Sequence, residues 1–370
     1  MSQASGLLSC DGLGIVKHRR VCVLPWRVAV LLCDPAQAGA GRGDEKETEV
    51  RTEDSLRCVL AALEGLGHQA QPFRVRLANV DSVVAGLQAD VVLNLCDGNG
   101  PDRDGLPGVE AIAALERRGL PYSGSRSAAY GLTCDKVRMR EVLAAAGVPI
   151  PLGQVFQSEH QTLNENLRSR RLIVKPSNSF GSCGIDLDSI VDTEEQLRGR
   201  VAEVLRVYGS PLVEEFIAGR ELTVAVIGSG HRAEVLPPLE VVFGELFPPD
   251  RQIRTHEAKA DLLSPYYDAF TISCPAALPP DVARRCQAVG LAAYRACHCK
   301  GYGRVDIRLR QDEPIVLEVN ANCSLEFGEH DRDWALLPFA AQAAGLHFPL
   351  LLQRLLEEAF IDHQALTDAD

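Results

Sequence analysis

The residues best able to do chemistry lie in two short segments, GYGRVDIRLR at 301–310 and IVLEVNAN at 315–322, separated by QDEP. In the first, Arg304, Asp306 and Arg308 alternate with Val305, Ile307 and Leu309; in the second, Glu318, Asn320 and Asn322 alternate with Leu317 and Val319. A period of two gives strands with one polar and one apolar face, and the short connector predicts a hairpin. A turn centred on Glu313 puts Asp306 opposite Asn320 and diagonal to Glu318. Two carboxylates and an amide oxygen then reach one ion. Oxygen-only donors suit Mg2+ or Mn2+, which fill their other positions with water and phosphate oxygens. An ordinary solvated hairpin face carries the same alternation, so the assignment depends on what surrounds it.

Three other stretches supply surroundings. Lys136, in CDKVRMREVLAAA, and Lys175, ending RLIVK, are candidate phosphate binders, and Lys175 leads into a loop with Ser177, Ser179, Gly181, Ser182 and Gly184. Small residues let backbone N–H groups approach phosphate closely, although a plain turn has the same composition and the loop is not a Walker sequence. In EEFIAGRE, Glu214 and Glu221 flank a bend; such acids can accept hydrogen bonds from an adenine amino group and ribose hydroxyls, or be surface charges. RTHEAKA, at 254–260, lies in a long, weakly patterned stretch of the kind that forms lids, with Lys259 able to close on a phosphate.

These residues need elements to hold them. RVAVLLC and ADVVLNLCDG read as strands around a helix at 55–66, the start of an α/β layer, continued by a helix near 108–117 and the short strand GLPYSGS. Thr133 is a plausible N-cap for a helix that stops at Gly147, and Thr193 with Gln196 forms a capping box for the next. PLVEEFIAGRELTVAVIG reads as two β segments, and a helical pattern runs over 333–360. Residues 1–24 have no periodicity and read as an extension.

Composition narrows the partners. The 370 residues are 46% hydrophobic and 24% charged, enough for more than one core. A net charge of -12 removes the usual footing for nucleic acid, and no apolar run reaches a membrane span, so a cytoplasmic protein is expected. The twelve cysteines are scattered, which predicts reduced, mostly buried thiols rather than a zinc site.

The order DK, IVKPSNS, VEEFIAGRELTVAV, HEAKA, GYGRVD and LEVNAN resembles the ATP-grasp superfamily, in its D-alanine–D-alanine ligase branch, over about residues 27–358. The resemblance implies an α/β plus α+β fold: a doubly wound N-terminal domain at 25–125, a small lid subdomain at 126–213 and a catalytic subdomain at 214–370, the last two clamping ATP. It implies that Lys136, Lys175 and Ser182 contact the nucleotide phosphates, Glu214 the adenine, Glu221 the ribose and Lys259 the γ-phosphate. Asp306, Glu318 and Asn320 match the metal ligands, and Arg304 the arginine that steadies an oxyanion. The implied reaction joins a small carboxylate to an amine through an acyl phosphate. The branch often dimerises through its N-terminal domain, so a homodimer stays open.

The substrate side departs from the branch. Asp97-Gly98 stands where a His-Gly is usual, and Gly181 and Ala260 replace a serine and a tyrosine that normally join an N-terminal glutamate, for which Glu49 is the candidate. Cys323-Ser324 replaces a Pro-Gly turn, followed by the charged LEFGEHDRDW. Asp97 is expected to meet an ammonium group, and Glu329, His330 or Arg332 to line the acceptor side; each is also readable as a surface charge. The expected activity is ligation of substrates other than two D-alanines, the alternatives being a genuine D-alanine–D-alanine ligase or an ATP-binding protein without catalysis.

Overall fold

The computed structural model describes residues 25–34, 45–100, 104–179, 181–261, 263–267, 269–328 and 334–368. The expected extension at 1–24 and the candidates Glu329, His330 and Arg332 lie outside them, as does the side chain of Glu49, whose backbone falls on the first helix.

The chain opens with β1 (Arg27–Cys33), α1 (Glu45–Gly65), β2 (Gln69–Val75), α2 (Val80–Ala85), β3 (Val91–Asn94) and α3 (Val109–Arg118). The strands form a parallel sheet in the order β2-β1-β3, which Tyr122 extends by one bridge to Val92. Val28, Val30 and Leu32 face one core with Val59 and Leu63 of α1, while Ala29 and Leu31 face another with Val84 of α2 and Leu115 of α3. Burial on both faces explains the continuous apolar runs of these strands and makes the layer doubly wound.

Two short helices follow, α4 (Ser127–Thr133) and α5 (Lys136–Ala145). The expected cap at Thr133 is corrected: Thr133 ends α4, its Oγ1 donating to Tyr130 O at 2.9 Å. Asp135 caps α5 instead, accepting from Val137 N and Arg138 N at 3.0 and 3.1 Å. Lys136 therefore stands at the first position of α5.

The second sheet is built from β4 (Gly153–Val155), β5 (Leu172–Pro176), β6 (Ile190–Val191) and β7 (Pro211–Glu215), in the antiparallel order β4-β7-β5-β6. Between them run α6 (Glu165–Arg168) and α7 (Glu194–Tyr208), the latter opened by the expected Thr193–Gln196 capping box. Leu197, Val201 and Val204 of α7 cover Val174 and Val213.

The third sheet holds β8 (Glu221–Ile227), β9 (Glu234–Val235), β10 (Leu239–Phe243), β11 (Phe270–Ser273), β12 (Tyr302–Arg310) and β13 (Glu313–Ala321). Its order is β11-β10-β8-β12-β13, with β9 also on β8. Here α8 (His256–Ala260) and α9 (Pro280–Ala296) precede β12, and α10 (Leu336–Ala343) and α11 (Phe348–Thr367) close the chain. Val224, Val226, Val305, Ile307 and Val319 pack against Cys286 and Ala293 of α9 and against Tyr130, Met139 and Leu143 of α4 and α5. Those two helices thus share a core with the large sheet, and the expected boundary between 213 and 214 falls inside β7. No single helix among the described residues is long and apolar enough to cross a membrane.

The β12–β13 hairpin forms, with a different register from the expected one. A two-residue turn at Gln311–Asp312 pairs Arg310 with Glu313, and this register runs to Ile307 opposite Val316. Continued unchanged, it would put Leu317 opposite Asp306 and turn Glu318 to the other face. A bulge absorbs Leu317 instead, so Asp306 pairs with Glu318 and Arg304 with Asn320.

Candidate active site

Three adjacent strands build one polar face. The register of β8 on β12 sets Glu221 beside Arg308 and Thr223 beside Asp306, and β13 adds Glu318 and Asn320 on the far side. Thr223 Oγ1 donates to Asp306 Oδ1 at 2.7 Å, and Asn320 Nδ2 donates to Asp306 Oδ2 at 3.1 Å and to Glu318 Oε1 at 3.5 Å. Arg304 Nη2 lies 3.6 Å from Asp306 Oδ2. Arg308, 3% exposed, donates to Glu221 Oε2 at 2.7 Å and to Ile217 O at 3.1 Å.

The two paired carboxyls are shifted in opposite directions. Burial disfavours ionisation of Glu318, but Lys136, Lys259, Arg304 and Lys175 outweigh it and hold the group down to about 2. Burial pushes Asp306 up, with Glu318 beside it adding to the rise and Arg304 opposing it. Two like charges on one face behave as a pair, and the one with more cations ionises first.

This donor set fits a hard divalent cation. It is oxygen-only, and the amide already sits between both carboxylates; turning Oδ1 of Asn320 inward exchanges a donor for a third ligand without moving the side chain. Among the described residues, no group of three or more His, Cys, Asp or Glu side chains forms a metal site elsewhere. The described cysteines are free thiols.

Facing the sheet, Lys136 Nζ lies 3.7 Å from Glu318 Oε2 and donates to Ser179 O, bridging the large sheet to the loop after β5. Lys175 and Arg140 both pair with Glu214, which is 1% exposed. In the loop itself Gly181, Ser182 and Gly184 all take positive φ, at 57°, 63° and 73°. At Ser182 this is a costly conformation for a residue with a Cβ. A Cβ on Gly184 would stand 2.7 Å from Pro176 and 2.9 Å from Tyr208.

The lid stretch meets this loop. Ser182 Oγ donates to Arg254 O at 2.8 Å, His256 N to Ile185 O at 3.0 Å, and His256 Nδ1 lies 3.3 Å from Gly181 O. Thr255 caps α8, accepting from Ala258 N at 3.1 Å. The helix carries Lys259, which burial, then the nearby Arg254 and Arg304, lower to about 8.

The structure therefore gathers Lys136, Lys175, Ser182, Glu214, Glu221, Lys259, Arg304, Asp306, Glu318 and Asn320 around one cleft between the four-stranded and six-stranded sheets. Asp97 lies apart from this cluster, exposed on the loop after β3. Its charge nonetheless reaches the start of β12: burial first, then Cys323 and Asp97, holds the Tyr302 hydroxyl in its protonated form. That hydroxyl donates to Asn94 O at 3.3 Å. Asn322, at φ 49°, accepts from Ser125 N at 2.5 Å and ties the end of β13 to the first domain.

Sequence reading missed Thr223, Arg140 and Arg254. The alternation of ELTVAVIG already put Thr223 on the face of Glu221. Nothing local marks Arg140 or Arg254, which matter through partners distant in sequence.

Comparisons with known proteins identify the family and the fold. The family model for the D-ala D-ala ligase C-terminus matches residues 142–357. A D-alanine–D-alanine ligase of Desulforudis audaxviator is 32% identical over 325 residues, covering 86% of this chain and 96% of that protein. One from Ralstonia pickettii is 30% identical over 333 residues, covering 89% and 91%. Among solved structures, the Bacillus anthracis D-alanine–D-alanine ligase complexed with ATP superposes with a TM-score of 0.70 at 21% identity, over 93% of this chain and 99% of that one. The chain belongs to the D-alanine–D-alanine ligase family, and is an ATP-dependent ligase of ATP-grasp type that forms carbon–nitrogen bonds.

Proposed function

We propose that this ligase joins a small carboxylic acid to an amine other than D-alanine to D-alanine. One observation carries the reading: two of the three substrate-triad positions lack the hydroxyl usual in the branch, Gly181 in the loop after β5 and Ala260 at the end of α8. Gly181 O lies 3.3 Å from Nδ1 of His256, the first residue of the helix that ends at Ala260, so the loop and that helix meet. Glu49, Asp97, Glu329, His330 and Arg332 are the proposed substrate contacts, with Asp97 taking an ammonium group.

Lys136, Lys175 and Ser182 hold the phosphates, Lys259 meets the γ-phosphate, Glu214 takes the adenine and Glu221 the ribose. Lys175 then exchanges its pairing with Glu214 for phosphate, which leaves Arg140 to hold that carboxylate in place. Asp306, Glu318 and Asn320 hold Mg2+ or Mn2+, which when bound supplies positive charge against the phosphates. The acid oxygen attacks the γ-phosphorus as the bond to ADP breaks, and the amine nitrogen then attacks the acyl carbon and phosphate leaves. Arg304 stabilises the oxyanion of the second step, and closure of the 254–260 stretch keeps water from the acyl phosphate. A first domain at 25–125, a cytoplasmic location and a homodimer through that domain belong to this proposal.

The test is ATP-dependent phosphate release with Mg2+ over D- and L-amino acids and related acids, singly and in pairs, with mass spectrometry of products. Release only with another acid and amine supports the proposal. Release with D-alanine alone, yielding its dipeptide, replaces it with the D-alanine–D-alanine ligation named for the relatives.

A further inference from the structure

Seven of the charged groups lining the cleft are matched. Glu221 has Arg308, Glu214 has Arg140 and Lys175, and Asp306 has Arg304. Arg254 differs. Among the described residues it makes no ion pair, its Nε is buried without a hydrogen-bond partner, and its guanidinium lies over the Phe270 ring at 5.1 Å from the centroid. An arginine with one nitrogen buried unbonded and no carboxylate of the described residues within ion-pair reach is costly unless something else fills the gap.

Its position is held from both sides. The carbonyl of Arg254 accepts from Ser182 in the positive-φ loop, and the next residue, Thr255, caps the helix that carries Lys259. Electrically it sits over the site: burial lowers its proton affinity, Glu221, Asp306 and Glu318 oppose that, and Arg304 adds to it. Lys259 in turn is lowered by both Arg254 and Arg304. With its carbonyl tied to the positive-φ loop and the next residue capping the helix of Lys259, Arg254 stands where it and Lys259 can share one anion, which would relieve their repulsion and the burial of both together.

We propose that Arg254 binds the phosphoryl group being transferred, gripping its equatorial oxygens alongside Lys259. A planar guanidinium suits that role, since it can donate two parallel hydrogen bonds to a phosphate. The charge spread over those oxygens is also what grows in phosphoryl transfer. The proposal rests on the ATP-dependent reading above. It goes beyond that reading by adding a residue five positions before Lys259 to the catalytic set.

The experiment compares the wild-type chain with Arg254→Met and Arg254→Lys, with Arg251→Met as a neighbouring control. Mg2+ complexes of ADP and of a non-hydrolysable ATP analogue are titrated by calorimetry, with thermal melts of each variant. Arg254→Met is expected to weaken the triphosphate roughly 10- to 100-fold and ADP less than about 3-fold, with turnover down roughly 100-fold and partly recovered in Arg254→Lys. An equal loss for both nucleotides overturns the proposal in favour of a structural role. Unchanged nucleotide binding with a raised KM for the acid alone overturns it in favour of a substrate-carboxylate contact. Failure of the wild-type chain to bind either nucleotide sinks the ATP reading itself, separately from this assignment.

Discussion

The polar face of β8, β12 and β13 and the loops above it contribute to one cleft by different means. On the face, Glu221, Thr223, Arg304, Asp306, Arg308, Glu318 and Asn320 are fixed by strand register, and each has a partner on a neighbouring strand or on its own. Above it, the loop after β5 and the stretch before α8 have no strand pairing and are held mainly by single side chains reaching backbone carbonyls: Lys136 to Ser179 O, Arg200 to Gly184 O, Ser182 to Arg254 O and Arg308 to Gln252 O. On the reading proposed above, the metal and oxyanion residues stand on the rigid face, while the departures at Gly181, Ala260 and Asp97 fall on loops and a short helix. Chemistry common to a family belongs on a sheet because backbone pairing sets distances; selectivity belongs on loops, which can change without disturbing the core.

Three changes would break or sharpen that contrast. The largest effect is expected on the face. Glu318→Gln removes the carboxylate around which Lys136, Lys175, Lys259 and Arg304 are arranged, and turnover should fall roughly 1000-fold while nucleotide still binds. Steady-state phosphate release together with an ADP titration checks this; a variant that keeps a tenth of wild-type turnover removes Glu318 from the catalytic set.

Next is the lid, where the face and the loops meet. With its folded value lowered to about 8, Lys259 is charged below that pH and neutral above it. kcat/KM should therefore fall as pH rises through about 8, losing up to roughly 100-fold, and Lys259→Arg should move that limb upward because arginine keeps its proton. The pH profiles of both enzymes decide it, and an identical alkaline limb in the variant assigns the titration elsewhere.

The smallest effect belongs to the loops. Asp97→Asn should raise KM for an amine-bearing substrate by roughly 10-fold and leave KM for ATP within about 2-fold, with an unchanged melting temperature because Asp97 is exposed. A parallel rise in both KM values would show that this loop is coupled to the nucleotide side and would erase the division drawn here.

Much of the fold was legible. Apolar runs marked the doubly wound layer, and Thr193 with Gln196 located α7 to the residue. The start of α5 was misread because Thr133 and Asp135 are both good caps. The choice went to Asp135 when α4 folded back through Tyr130 and took Thr133 as its own last residue. PLVEEFIAGRELTVAVIG was correctly read as two β segments, but local pattern cannot say that β7 and β8 belong to different sheets, since that depends on which distant strands compete for their edges.

The site divides in the same way. Residue types and alternation alone determined that Arg304, Asp306, Glu318 and Asn320 are polar groups on strands of one hairpin, with an oxygen-only set suited to a hard cation. Tertiary structure decided the pairing. Alternation gives the face of each strand relative to itself, while the faces of two strands are related through the turn and any extra residue between them. The Gln311–Asp312 turn would have sent Glu318 away from Asp306, and the bulge at Leu317 restored it. Arg254 was likewise invisible, because a guanidinium with no ion pair among the described residues is recognisable only once the partners of its neighbours are known.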